Sequence, residues 1–401
     1  MSIEARLPPA QYGLRLKRML GGKAGWNGVI LQILFVAVLV WVGYEIVANA
    51  RSNLAAQRIT SGFGFLNNTA GFDVNQALIS YSGSDSYSRV LLVGILNTLL
   101  VSVIGIVLST ILGFLVALGR LSPNVLLSRV SGAYVELIRN LPLLFQILFW
   151  YLAVLSALPG PRQSISLFST FFLNNRGFIV PRPIEEPGLT PFLIALGAAI
   201  VVSLGLRYYA RRELFVRGHA MRIWPYVLGL LVGLPLMAML MFGVPVAFEV
   251  PVLKGFNFAG GSRIIPERVA LTVALTMYTA SFIAEVVRGG ILSVHKGQME
   301  AGLSLGLSRG TVLRLIVVPQ ALRVILPPLT NQYLNLTKNS SLAVAIGYPD
   351  LVSVFAGTTM SQTGQAIEII AITMGVYLAI SLITSAMMSF YSWRLGKRLG
   401  A

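Results

Sequence analysis

The sequence predicts an all-α, polytopic membrane protein of about eight transmembrane helices with both termini in the cytoplasm. Three observations predict it. Of the 401 residues 55% are apolar and only 11% charged, and the mean hydropathy of +0.76 lies far above that of a soluble domain of this length. The apolar residues gather in runs of about 20, the length of helix that crosses a hydrocarbon core. The basic residues, which give a net charge of +17, cluster in every second connection between those runs, where the positive-inside rule places cytoplasmic loops.

Residues 1–27 form a cytoplasmic segment carrying Arg6, Arg15, Lys17, Arg18 and Lys23. The run 28–48 is too long for a signal peptide and lacks a small-residue cleavage site, so it reads as the first spanning helix. A first part of the core, 90–158, holds runs at 90–118 and 137–158 with Arg120 and Arg129 between them. An insertion, 159–267, holds runs at 191–206 and 224–247, joined by a loop dense in Arg207, Arg211, Arg212, Arg217 and Arg222. The second part of the core, 268–390, holds runs at 268–287, 320–346 and 367–390, and its loop carries Arg288, Lys296, Arg309 and Arg314. Residues 391–401, with Arg394, Lys397 and Arg398, close the chain in the cytoplasm. The alternate loops 49–89, 159–190 and 248–267 are rich in Gly, Pro, Ser and Asn and face the opposite side.

Composition also excludes. There is no cysteine, hence no disulfide framework, thiolate ligand or thiol nucleophile. The two histidines, His219 and His295, stand far apart among basic residues and form no metal constellation. Basic clusters spaced by apolar runs are topology signals rather than a nucleic-acid surface. The halves show no internal repeat of the kind that marks inverted-repeat transporters. No G-x-x-x-x-G-K-[ST] exists: Gly22-Lys23 is followed by Ala24 and Gly396-Lys397 by Arg398, so this chain cannot cradle a nucleotide's phosphates with that loop.

Between the sixth and seventh runs lies QMEAGLSLGLSRGTVLRLIVVPQ, Gln298 to Gln320. Glu300, Ala301, Gly302, Gly306, Ile316 and Pro319 stand at a fixed spacing inside the loop 296–319. Gly302, Gly306 and Gly310 recur every four residues, which on a continuous helix makes a bare stripe for close backbone approach. Leu303, Leu305, Leu307 and Leu313 put oily side chains on a cytoplasmic turn, and Pro319 marks the start of the next spanning helix. The pattern reads as a short surface helix offering a knob to another protein.

Two cassettes flank the loop. VELIRNLPLLFQ, from Val135, and FIAEVVRGGIL, from Phe282, each place a Glu three residues before an Arg at the membrane edge: Glu136 with Arg139, and Glu285 with Arg288. That spacing suits an interfacial ion pair, and Pro142 bends the helix just inside the first of them. In the seventh run TNQYLNLTKNSSL interrupts an apolar stretch with Asn331, Gln332, Asn335, Lys338 and Ser340. A Lys near mid-bilayer costs about 2.5–3.5 kcal/mol on insertion scales, so it faces a cavity or a partner. Asn331, Asn335 and Lys338 share one helical face, and Pro327-Pro328 ahead of them predict a broken helix of the kind that lines a site. From the residues alone a substrate pathway and simple inter-helix hydrogen bonding both remain open.

The spacing of Glu300-Ala301-Gly302, Gly306, Ile316 and Pro319 resembles the coupling-loop motif of ABC importer permeases, with Gly302 at a position usually Ala and Val318 at one usually Leu. The cassettes at Glu136 and Glu285 resemble those of the polar amino acid uptake family, and the length and central insertion are similar to the general L-amino acid permeases of Gram-negative bacteria. That resemblance implies a permease subunit of the bacterial inner membrane that performs no catalysis and binds no cofactor. ATP and Mg would sit on a separate ABC ATPase subunit, a homologous sister permease would complete the pathway, and a periplasmic amino-acid-binding protein would deliver substrate. It also implies that Gln332, Lys338 and Gln146 border an amino-acid site. The Gln332 position is often acidic in that family, so a neutral residue there implies less commitment to cationic cargo. The alternative is an ion-coupled secondary transporter, which predicts intramembrane carboxylates that the runs nearly lack.

Overall fold

A computed structural model describes residues 26–56, 62–218 and 221–398; the basic N-terminal cluster Arg6–Lys23 and His219 lie outside them. The chain is mostly helical. Helix α1 (Trp26–Ala56) is followed by α2 (Tyr87–Arg120), α3 (Val125–Asn140) and α4 (Leu143–Leu148), which continues as a π-helix over Phe149–Leu155. Then come α5 (Leu189–Arg217), α6 (Trp224–Phe242) and α7 (Pro266–Leu292). Short helices α8 (Lys296–Ser304) and α9 (Arg309–Val312) lead through a π-turn, Leu313–Val317, into α10 (Val318–Asn339). Helices α11 (Met360–Thr363) and α12 (Ala366–Arg398) end the described chain.

Among the described residues six helical stretches are long and apolar enough to cross a membrane: Tyr87–Arg120, Leu189–Arg217, Trp224–Phe242, Pro266–Leu292, Arg309–Ile346 and Ala366–Arg394. The pair α3 and α4 adds a seventh only if two segments bent by 106° count as one span. The described apolar stretch of α1, Ile30–Ile46, is shorter than these.

The third run therefore differs from its sequence reading. Pro142 does not merely bend a spanning helix near its start; it ends α3 altogether. Leu141, which precedes it, is extended at φ −95° and ψ 132°, as the proline ring demands of its neighbour. Pro142 supplies no N–H to the Ile138 carbonyl four residues back. The Gln146 amide supplies it instead, donating to the Ile138 oxygen at 2.9 Å and to the Leu141 oxygen at 3.0 Å. Pro327 and Pro328 behave in the opposite way. Helix α10 runs through both without a break, so no broken helix exists where the sequence predicted one.

The core forms where α2 lies along α7, joined by α4, α10 and the turn after it. Close approach of α2 and α7 depends on Gly113, where a Cβ would stand 2.7 Å from Ile283 Cβ. Val101, Leu271, Leu275, Ile283 and Leu336 are fully buried between these helices. The outward faces of the same helices are apolar and exposed, among them Val103, Ile111 and Leu115, as lipid solvation of a spanning helix requires.

The helical expectation holds, with short strands confined to two loops. The loops on either side of α5 and α6 fold together as small antiparallel sheets. Strands β1 (Ile165–Leu167), β2 (Phe171–Asn174) and β3 (Gly177–Val180) pair with β8 (Ser262–Ile264) in the order β1-β2-β3-β8. Strand β4 (Arg182–Glu185) pairs with β5 (Val246–Glu249), and β6 (Val252–Lys254) with β7 (Asn257–Ala259). The β4–β5 ladder ties the two ends of the α5–α6 hairpin together. Within the hairpin, α5 and α6 pack chiefly on each other.

Candidate functional site

The stretch 296–319 is a helix–turn–helix. His295 opens α8, its Nδ1 accepting from the Gly297 N–H at 3.1 Å. The helix closes with paired hydrogen bonds, Gly306 N–H to the Leu303 carbonyl at 2.9 Å and Leu307 N–H to the Gly302 carbonyl at 3.2 Å. That is the Schellman arrangement, which places its residue C′ in the left-handed region; here it is Gly306, at φ +76°. Ser308 then caps α9, accepting from the Thr311 N–H at 3.3 Å. The glycine stripe predicted from the sequence is thus absent, because the helix stops between its members. Gly302 is buried, and a Cβ there would stand 2.7 Å from Val312 and 3.3 Å from Ile316, so it lets α8 fold back on the segment after the turn. Gly306 ends the helix, and Gly310 faces open space.

The result is a protrusion with its leucines outward. Leu305 is 80% exposed, Leu303, Leu307 and Leu315 are also exposed, and Glu300 and Ala301 stand exposed beside them. Ile316 packs inward on Gly302, and Pro319 lies in the first turn of α10, beyond the π-turn rather than at the start of the apolar helix, which begins at Arg309. The π-turn absorbs the proline: the Val318 N–H reaches back to the Leu313 carbonyl, so the helix continues past the N–H that Pro319 lacks.

Helix α10 brings Asn331, Asn335 and Lys338 to one exposed face. None of the three side chains has a hydrogen bond or ion pair among the described residues. Gln332 lies about a quarter-turn round and is half-buried. Ser340 is not on that face; it is buried and donates to the Thr337 carbonyl at 2.7 Å. Gln146 is not there either, since it is buried and holds the break after α3. On the opposite side of α10, the Tyr333 and Thr110 hydroxyls meet at 2.9 Å and pin the helix to α2.

Sequence reasoning missed the other wall of this region. A cleft of about 370 Å³ opens between α10 and α12, where Thr330 and Asn331 meet Ser385, Ser389 and Ser392. The three serines lie at i, i+4 and i+7 of an apolar run, a signal as readable as the stripe on α10.

The two predicted ion pairs also differ. Glu285 and Arg288 meet at 3.1 Å, and Arg120 from the end of α2 joins Glu285 as a third member. Glu136 and Arg139 do not pair with each other among the described residues. Arg139 lies over the Phe282 ring instead, 4.8 Å from its centroid. Helix α3 packs directly on α7, which carries that ring.

The chain thus presents an exposed apolar knob on a turn, a half-buried ion triad joining α2 and α7, and an unpaired polar face on α10. Residues 105–396 match a family described as binding-protein-dependent transport system inner membrane component. The chain belongs to that family. Among relatives of this inner-membrane component, the Escherichia coli (strain K12) protein YhdX, named as a candidate amino-acid ABC transporter permease, is 52% identical over 91% of this chain and 93% of its own. The general L-amino acid transport system permease protein AapQ of Rhizobium johnstonii is 50% identical over 92% of each. The glutamate/glutamine/aspartate/asparagine transport system permease protein BztB of Rhodobacter capsulatus is 38% identical over 96% of this chain and 97% of its own.

Proposed function

We propose that this chain is the permease subunit of an ATP-driven importer that moves L-amino acids of broad type across the inner membrane. The observation that carries the reading is the α8–α9 protrusion around Glu300. Its exposed leucines sit on a rigid, capped turn, a surface suited to a cleft in another protein. A separate ABC ATPase holding ATP and Mg occupies it, and nucleotide-driven closure shifts the permease between inward and outward states by differential binding. This chain itself carries out no covalent chemistry. Both termini and the α8–α9 turn lie in the cytoplasm, and α1 is an eighth span.

Asn331, Gln332, Asn335 and Lys338 border the substrate pathway, which a sister permease completes on the exposed face of α10. The Lys338 ammonium suits an α-carboxylate, and the amides suit an ammonium or a polar side chain. A heterologous sister is favoured over a second copy, and a periplasmic binding protein delivers substrate to the outer loops. The cargo class is supported by the names of relatives at 50–52% identity over nine-tenths of the chain. The ion-coupled alternative is not favoured by membership of a binding-protein-dependent family.

The test is uptake into proteoliposomes holding this chain, its sister permease, the ATPase and a binding protein. Accumulation of labelled glutamate, leucine or arginine that requires luminal ATP and ignores an uncoupler supports the reading. Accumulation that ignores ATP and collapses with the uncoupler overturns it.

A further inference from the structure

The α5–α6 hairpin carries a feature that the transport reading does not use. From Leu189 to Leu206 α5 has no charged residue, and neither has α6 from Trp224 to Phe242. At the end where the two helices are joined, Arg207 and Arg211 lie one turn apart on the same face of α5. They border a pocket of about 310 Å³ whose other walls are Leu214, Met221, Trp224 and Val227. The Arg207 guanidinium stands 5.3 Å from the centroid of the Trp224 ring.

Neither arginine has a carboxylate or hydrogen-bond partner among the described residues, and the nearby Glu213 is paired with Arg217 at 3.3 Å. The pocket thus joins two guanidinium groups to an otherwise apolar wall, and it sits where a spanning hairpin leaves the hydrocarbon. Two guanidinium forks match the oxygens of a phosphate. An indole at the same level belongs to the membrane interface. The exposed Leu214 and Met221 offer apolar surface to which acyl chains can lie alongside. A soluble anion would use the first of these features and leave the other two idle.

We propose that this pocket binds the phosphodiester headgroup of an anionic phospholipid of the inner leaflet. The hairpin packs chiefly on itself, and a lipid held at its basic end anchors it at a fixed depth beside the permease core. Basic pockets between membrane helices recognise acidic headgroups by this combination of charge and depth.

The test uses the complete transporter purified in detergent with equal amounts of phosphatidylglycerol and phosphatidylethanolamine, and counts retained lipid by native mass spectrometry. The wild type retains phosphatidylglycerol in preference. Arg207→Ala with Arg211→Ala weakens that retention by about tenfold to thirtyfold. Arg212→Ala with Arg222→Ala removes the same charge outside the pocket and leaves the preference unchanged. Equal loss in both double variants, or no preference in the wild type, overturns the site. Displacement of the lipid by excess inorganic phosphate also overturns it, making the pocket a free-anion site.

Discussion

The α8–α9 turn and the polar face of α10 are opposite in chemistry and alike in consequence. The turn exposes leucines outside the apolar spans, with Leu305 80% exposed. The face of α10 exposes Asn331, Asn335 and Lys338 within an apolar helix. Each puts side chains in the wrong solvent, and the turn leads directly into the segment that carries the polar face, Arg309–Ile346. The difference lies in what holds them. The turn is rigid, fixed by Gly302 packing on Val312 and by the cap at Gly306. The α10 side chains are polar and exposed, with no hydrogen bond or ion pair among the described residues, and they meet whatever occupies the space beside them. A rigid apolar knob suits a permanent protein partner, and adaptable polar side chains suit a passing solute.

Substitutions can separate the two surfaces. Gly302→Val drives a methyl into Val312 and has the largest effect: overpacking of about 1–3 kcal/mol displaces the turn. The expected outcome is loss of ATP-driven uptake together with loss of ATPase co-purification, while the membrane fold persists by circular dichroism. Lys338→Met leaves the turn untouched and removes the ammonium proposed to hold the substrate's α-carboxylate; a charge-assisted contact of that kind is worth about 1.5–3 kcal/mol, so uptake is expected to fall about tenfold to a hundredfold. ATPase co-purification stays intact, and if it falls in step with uptake the two surfaces are not separable.

Gln146→Leu distinguishes a pathway residue from a structural one. Leaving the Ile138 and Leu141 carbonyls without their donor costs about 1–3 kcal/mol of stability. Thermal unfolding should move down while the ranking of transported amino acids stays fixed; a changed ranking with unchanged unfolding would return Gln146 to the pathway. Gln332→Glu has the smallest effect. One added carboxylate beside the α10 face shifts preference toward arginine over glutamate by roughly 1 kcal/mol, about fivefold, read from competition of uptake. An unchanged ranking removes Gln332 from the selectivity of the pathway.

The helical segments were legible because lipid solvation leaves little choice: the predicted runs at 90–118, 268–287 and 367–390 sit inside α2, α7 and α12 with margins of a few residues. Prolines were misjudged in both directions. Pro142 ends α3 and Pro327-Pro328 leave α10 whole, so a proline by itself does not decide between a break and a continued helix; at Pro142 the break is held by the Gln146 side chain, which takes up the freed Ile138 carbonyl. The periodic glycines promised a stripe, yet the Schellman cap at Gly306 turns the chain before the third is reached.

Partners distant in sequence were the other gap. Arg120 on Glu285 and Phe282 beneath Arg139 cannot be read from spacing within one helix. The strands of the insertion are three or four residues each and pair β3 with β8 across the whole hairpin, too short and too remote for a periodicity to register. Ser385, Ser389 and Ser392 are a different case: their spacing was visible, and only the facing Asn331 gives it meaning.

One measurement bears most directly on the knob as the seat of the motor. The chain has no cysteine, so Leu305→Cys introduces its sole thiol at the tip of the protrusion. A water-soluble maleimide should label it rapidly in the permease pair alone and only slowly once the ATPase is bound, with rapid labelling restored when the ATPase is stripped away. Labelling at one unchanged rate in all three states would contradict the assignment of this turn as the docking surface.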